Sequence, residues 1–422
     1  MALGRAGKKG HSLNADSGAS HPTLGARYRA WYERLPTGLQ LIGMQVWLPV
    51  VFTVAFVFCY VAAFHAPAFR DIPVAVVGPA GAVQSLAGSL AASSKETLTT
   101  SVVPSLQAAR EPVRAGTYIA AYVPGHEGGQ LIVASANSFQ LSDVALQFFG
   151  SAAAASHARL TVTDLAPLPA WDSFGTSLFY LALLPTISGY MVSMFVGMMG
   201  AGLKHWQRFS IFTATSVLLP LLGLLLARYA VHAFQGHFLA VWLIASATSF
   251  AVGCVVNGLA YFAGRFVTGF ALVIFIFLNI PSSGGAFAPE LLPEPFRRLH
   301  ALVAGTGTVN LLRHTVYGVG PAVWRGWLLL GVYAASGVAL ALIGKPYFTR
   351  RMKRRAEAGK PPTMMMSAQI AALVQAGYVV RATADDSAVS VAASAGAYET
   401  DGEAQAGALT AAREARSGSG MS

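Results

Sequence analysis

Cysteine is nearly absent. The 422 residues hold two, Cys59 and Cys254, both inside hydrophobic runs. No disulfide framework can therefore hold the polar region between residues 65 and 172, and no CxxC or Cys/His spacing points to zinc. Both thiols read as small apolar packing groups. Charge is equally scarce: 11% of residues are charged, against about 25% in soluble domains, while 54% are hydrophobic and the mean hydropathy is +0.53. Carboxylates are missing from every long hydrophobic run, which removes the usual proton relay of a coupled transporter. Catalytic signatures are missing as well: there is no GxxxxGK[ST] phosphate loop, no HExxH and no GxSxG. The histidines stand singly along the chain. The chain reads as a non-enzyme with no catalytic, cofactor-binding or metal-binding residues of its own.

What is present is hydrophobic length. Runs near 45–64, 175–200, 209–232, 238–263, 266–281 and 324–344 are candidates to cross a bilayer. The first follows a polar region far longer than the basic head of a signal peptide, so it is read as an uncleaved signal anchor. Residues 1–44 form a basic N-tail in which ARYRAWYERLPTGLQ is either an interfacial helix or a solvated juxtamembrane turn. Residues 65–172 contain no spanning segment. The runs IPVAVVG, TYIAAYVP and GQLIVASA read as strands, Val83 to Ala109 as helical, and Ser138 to Ala155 as a second helix. The expected fold is an α-helical polytopic membrane protein of six transmembrane helices, spans 2–6 covering 173–344, with a small extracytoplasmic α/β domain between helices 1 and 2.

The net charge of +11 follows the ends of these runs rather than a recognition motif, so nucleic acid is not an expected partner and membrane lipids are. With the N-terminus inside, sixteen Lys/Arg lie on the inner side, including Lys204, Arg208, Arg265 and the run KPYFTRRMKRR. The short outer links hold five. This bias places both termini in the cytoplasm of a multi-pass protein and the α/β domain outside. Residues 345–422 begin as a basic tail; MMMSAQIAALVQAGYVV reads as a short amphipathic helix and the remainder as disordered. The Ala-, Gly- and Arg-rich style suggests a bacterial cell membrane.

Two helices carry small residues at four-residue spacing: Gly189, Ser193 and Gly197, then Gly253 and Asn257. Such a face permits close helix contact in lipid, as intrachain packing, a dimer seam or part of a substrate path. Asp164 and Asp172 read as loop-capping residues, and Arg228 as a boundary arginine reaching headgroups. The most informative segment is NIPSSGGAFAPELLP, residues 279–293, where Pro281, Ser283, Gly284, Gly285, Pro289 and Pro293 interrupt a short fifth run. Backbone leaving a helix at a membrane boundary must be buried in protein or line a wet cavity. The segment to about residue 320 is read as re-entrant rather than as an ordinary loop.

One span, a large external domain, five further spans and the NIPSSGGAFAPELLP…LLRHTVYG segment together resemble the type-2 ABC exporter permeases, and more narrowly their phage-infection-protein (Pip)-like branch. IPVAVVG and DLAPLPAWDSFGTSLFYLALL are similar to that branch, and the resemblance covers about residues 45–345. It implies a homodimer, or a heterodimer with a similar permease, working with a separate cytoplasmic ABC ATPase. ATP is then bound by that partner, and lipid-like, glycan or hydrophobic cargo is exported. By position it implies a coupling helix at the 201–208 link, including Lys204, His205, Trp206 and Arg208, an interface helix at Tyr28–Leu35, and an outer re-entrant region at Pro281–Pro293. Since members of the branch also act as secretion-associated or receptor proteins, a non-transporting scaffold working through its external domain is the alternative.

Overall fold

The computed structural model describes residues 39, 46–65, 69–94, 97–125, 128–199, 205–358, 378–382 and 389–393. The interface segment Tyr28–Leu35 and Lys204 lie outside these residues. The chain divides into two compact units, Met1–Val54 and Ala55–Ser422. The described part of the first is the apolar start of helix α1 (Trp47–Phe64). All other packing described below belongs to the second unit.

That unit opens with a mixed α/β fold. Strands β1 (Ile72–Val77), β2 (Leu98–Val103), β3 (Ala120–Gly125), β4 (Gly128–Val133) and β5 (Arg159–Asp164) form one sheet in the order β2-β1-β3-β4-β5. β1 runs parallel to both β2 and β3, β3 and β4 form an antiparallel hairpin, and β4 is parallel to β5. Helices α2 (Ala80–Ser93), α3 (Leu106–Ala115) and α4 (Phe139–Ala155) supply the connections. Ser105 and Ser138 cap α3 and α4 by accepting from the Ala108 and Leu141 N–H groups. Side-chain alternation splits the sheet into two buried faces. Val74, Ala120, Leu131 and Val133 meet α4 through Leu141, Ala145 and Phe149, while Ala75, Val77, Ala121 and Ile132 meet α3 through Ala109 and Val113.

The strand readings at IPVAVVG, TYIAAYVP and GQLIVASA match β1, β3 and β4, and the second helix matches α4. The helix expected over Val83–Ala109 is instead helix, strand, helix: Leu98–Val103 pairs along its length with β1. The β-branched run LTTSVV prefers a pleated surface to a helix, and the exposed edge of β1 supplies the partner. β5 was not recognised as a strand. Beyond the last helix, Tyr378–Ala382 and Val389–Ala393 form an antiparallel pair, where the sequence pattern had suggested a helix end and disorder.

Among the described residues five helices are long and apolar enough to cross a membrane: α1, α5 (Ser177–Met199), α6 (His205–Leu225, continued by π-type turns to Ala230), α7 (Phe238–Ala263) and α11 (Val323–Glu357). The remaining expected span, fifth along the chain, is the shorter apolar helix α8, Val267–Ser282. Its 16 residues reach about 24 Å at 1.5 Å per residue. The hydrocarbon layer is about 30 Å thick. α7 is central: 56% of its apolar window is buried, against 6% in α1 and 17% in α11. Between α8 and α11 the chain forms a 3-10 turn at Pro289–Leu291 and helices α9 (Glu294–His300) and α10 (Ala304–Tyr317).

Close backbone approach holds the helices around α7. A Cβ on Gly189 of α5 would collide with the Ser249 carbonyl of α7, and one on Gly253 would strike Phe212 and come within 2.6 Å of Ser193 Oγ. The small faces of α5 and α7 thus meet each other. A second seam escaped the sequence reading: a Cβ on Gly258 would lie 2.6 Å from the Gly337 carbonyl of α11.

Candidate functional site

The segment from Asn279 to Tyr317 is folded into the helices rather than looped away from them. α8 loosens into π-type turns over Val273–Leu278, and Tyr60 of α1 donates to the Ile276 carbonyl there at 3.0 Å. Its final turn, Asn279–Ser282, is buried at every residue, Pro281 included. Gly284 then takes a left-handed φ of +73°, and a Cβ there would lie 2.7 Å from the His300 ring. Gly285 is equally confined, its Cβ position 2.7 Å from Phe179 of α5. Pro289 opens the 3-10 turn and Pro293 precedes α9.

A buried, breaker-rich backbone needs partners for its polar groups, and side chains of the same segment provide them. Asn279 Oδ1 accepts from the Gly305 N–H at 2.6 Å, so the end of α8 caps the start of α10. Ser283 Oγ donates to the Ile280 carbonyl at 2.7 Å and accepts from the Gly285 N–H at 3.2 Å. Arg313 Nη2 donates to the Gly284 carbonyl at 2.9 Å. His300 Nδ1 lies 2.8 Å from the Ser282 carbonyl and 3.2 Å from Thr306 Oγ1, which donates to the His300 carbonyl. α10 is buried from Ala304 to Val309, and Thr308 shares a 2.8 Å hydrogen bond with Thr248 in the middle of α7.

Three ionisable groups feel this enclosure. Burial pushes the Glu290 carboxyl above its ordinary range, against the pull of its backbone hydrogen bond and of Arg313 and Arg297. Glu290 Oε2 and the Ser282 hydroxyl are buried without a hydrogen-bond partner among the described residues. Burial pushes the His300 imidazole below its ordinary range, outweighing the Ser282 carbonyl. Burial also lowers Arg313 to about 10, which leaves it a cation at neutral pH. The more exposed Glu294 pairs with Arg297 and Arg298, and Arg297 reaches Asp71 at 3.3 Å.

The same segment grips the α/β fold on both faces. Ala288 and Leu291 enter the α4-side core, and Val319, just past α10, enters the α3-side core. Tyr317 donates to Asp172, whose Oδ1 also accepts from the Thr176 and Ser177 N–H groups and so caps α5. Asp164 likewise accepts from the Ser135 and Ala166 N–H groups. Arg228 donates to the Gly236 carbonyl at 3.2 Å and lies over the rings of Phe234 and Phe238, a local anchor for the turn before α7.

At the end of the helices where α5 stops and α6 begins lies an apolar groove of ≈ 500 Å³ between α5, α6, α7 and α11. It brings together residues that sequence reasoning had assigned to different roles. Ser193 and Asn257, from the small faces, line it beside Trp206, from the proposed coupling link, and Lys345 lies among its residues on α11. His205 and Arg208 belong to the first turn of α6 and Gly197 to the last turns of α5. Sequence reasoning missed His300, Arg313, Glu290 and Lys345. The available signal was the run AGTGT at 304–308, too small and too polar for a lipid-facing helix yet wholly buried here.

Among the described residues no group of three or more His, Cys, Asp or Glu side chains is arranged to hold a metal ion. No family model, no curated protein and no solved structure matches the chain.

Proposed function

We propose that this chain is the membrane-spanning permease subunit of an ABC-type exporter, working with a separate cytoplasmic ATPase to move lipid-like, glycan or hydrophobic cargo outward. The observation that supports the reading best is the interrupted pair α8 and α10. A short helix breaks among its neighbours, and a second helix returns beside it with the intervening polar backbone satisfied by Asn279, Ser283 and Arg313. Broken helices of this kind are tolerated at membrane depth only when enclosed by protein, and they mark pathways in transporters.

In this reading α8 is the fifth of six crossings, both termini are cytoplasmic, and the α/β fold stands outside, seated on the re-entrant segment. The permease acts as a dimer with itself or with a similar chain. The link containing Lys204, His205, Trp206 and Arg208 docks on the ATPase. The segment from Pro281 through Ser283, Gly284, Gly285 and Pro289 to Pro293 forms the outer gate. Its contacts with both sheet faces let movement of the gate reach the external domain.

The test is purification of the full chain from its own membranes in mild detergent, with identification of what accompanies it. An ATP-hydrolysing subunit should be recovered, and the double variant Lys204→Glu, Arg208→Glu should lose it while keeping the thermal transition of the parent. Recovery of a secretion-type assembly with no ATPase would overturn the exporter in favour of a scaffold. Association unchanged by the double variant would overturn the coupling assignment.

A further inference from the structure

The groove between α5, α6, α7 and α11 has a chemistry of its own. Its walls are aliphatic and aromatic, with Phe209, Phe212, Val338 and Leu342 prominent. Water inside would find few polar partners, so the space suits hydrocarbon. Polar groups interrupt the wall at Ser193, Asn257 and Tyr261. Ser193 is 1% exposed, and its hydroxyl has no hydrogen-bond partner among the described residues. Asn257 lies one turn beyond Gly253, against which Ser193 packs.

The rim is cationic and amphipathic. Lys345 is exposed and makes no ion pair among the described residues. Arg350, Arg351, Lys353 and Arg354 follow it on α11, all exposed, and no carboxylate appears on that helix before Glu357. Trp206 is 66% exposed at the first turn of α6, with an apolar ring and an N–H donor, the character of a residue at headgroup level.

We propose that this groove is a binding site for one anionic membrane lipid. An acyl chain lies along Phe209, Phe212 and Leu342, the phosphate sits at Lys345, and the Ser193 hydroxyl donates to an ester carbonyl. Charge complementarity selects the lipid class, because a zwitterionic headgroup would present its own cation to Lys345 and to the basic run beyond it. The site needs neither an ATPase nor transported cargo, so it stands apart from the exporter reading.

The experiment uses the full chain, purified without nucleotide or partner and placed in nanodiscs of phosphatidylcholine containing a minor fraction of phosphatidylglycerol with identical chains. Lipids retained on transfer to detergent are counted by native mass spectrometry. The wild type should retain one phosphatidylglycerol in preference to phosphatidylcholine. Lys345→Gln, a change at an exposed position, should lower that preference about fivefold. Ala341→Trp, which fills the groove, should abolish retention of both lipids. Equal retention of the two lipids by the wild type would overturn the proposal, as would a Lys345→Gln variant with unchanged preference. Should Ala341→Trp fail to fold, the Lys345→Gln result decides alone.

Discussion

Within the segment from Asn279 to Tyr317, the residue most sensitive to its surroundings is His300. Its ring sits between the Ser282 carbonyl and the Thr306 hydroxyl, closely beneath Gly284. Burial lowers its pKa from 6.5. The folded state therefore prefers the neutral ring, and the stability this contributes is fully present above 6.5 and lost as pH falls through the lower folded value. Glu290 has the opposite sign: its folded pKa is raised from 4.5, so its contribution is present below 4.5 and lost as pH rises through the folded value. Thermal unfolding of the wild type should thus show a loss on acidification just below pH 6.5 that His300→Asn removes. If the variant retains the same slope, another group carries it. Gly284 defines a second constraint, since any side chain there meets both a left-handed φ and the His300 ring. Gly284→Ala should cost about 1–3 kcal/mol in unfolding free energy, read from denaturation in detergent; a neutral substitution would show that the turn can relax.

At the scale of elements, the insert between α8 and α11 is a connector with three attachments. It is capped onto α8 by Asn279, bonded to α7 through Thr308, and plugged into the sheet by Ala288, Leu291 and Val319. Leu291 is 2% exposed, within the core built by β1, β4 and α4. Leu291→Ala should lower stability by about 2–5 kcal/mol, the usual cost of a truncated core leucine. The expected signature is local: amide exchange should accelerate in α9, β1 and α4 and remain slow in α7. Acceleration spread evenly over all helices would mean that the insert does not act as a separate attachment. The crossing of α5 and α7 at Gly189 has a different character, because there backbone meets backbone and no side chain can give way.

At the scale of the molecule, the open question is sidedness, and the distribution of Lys and Arg makes a definite forecast. In a chain with Cys59 and Cys254 replaced by alanine, Ser151→Cys, at an exposed position of α4, and Lys353→Cys, at an exposed position of α11, serve as reporters of sidedness. A membrane-impermeant maleimide should label Ser151→Cys in intact cells and Lys353→Cys only after permeabilisation. Labelling of both from the same side would refute the topology.

Much of this architecture was legible in order of residues alone. Hydrophobic length found all five long helices and the short α8, because burying a span in lipid requires an uninterrupted apolar run whatever its neighbours are. Apolar runs bounded by glycine and proline found β1, β3 and β4, and the helix read from Ser138 to Ala155 matches α4. β2 and β5 escaped because a strand of mixed polarity is stabilised by its ladder partner, which lies far away in sequence. The candidate sites were legible only in pieces. The breaker cluster at 279–293 stood out because proline and glycine act locally on the backbone. That His300 and Arg313 would serve it could not be read, since a hydrogen-bond partner is set by the path of the fold and not by spacing. Likewise Ser193, Trp206, Asn257 and Lys345 were ordinary residues on four helices until packing brought them to one groove. Apolar length and the local backbone action of proline and glycine were enough to locate the long apolar helices and their interruption. The partners that enclose the interruption come from distant segments and exist only once the chain has packed.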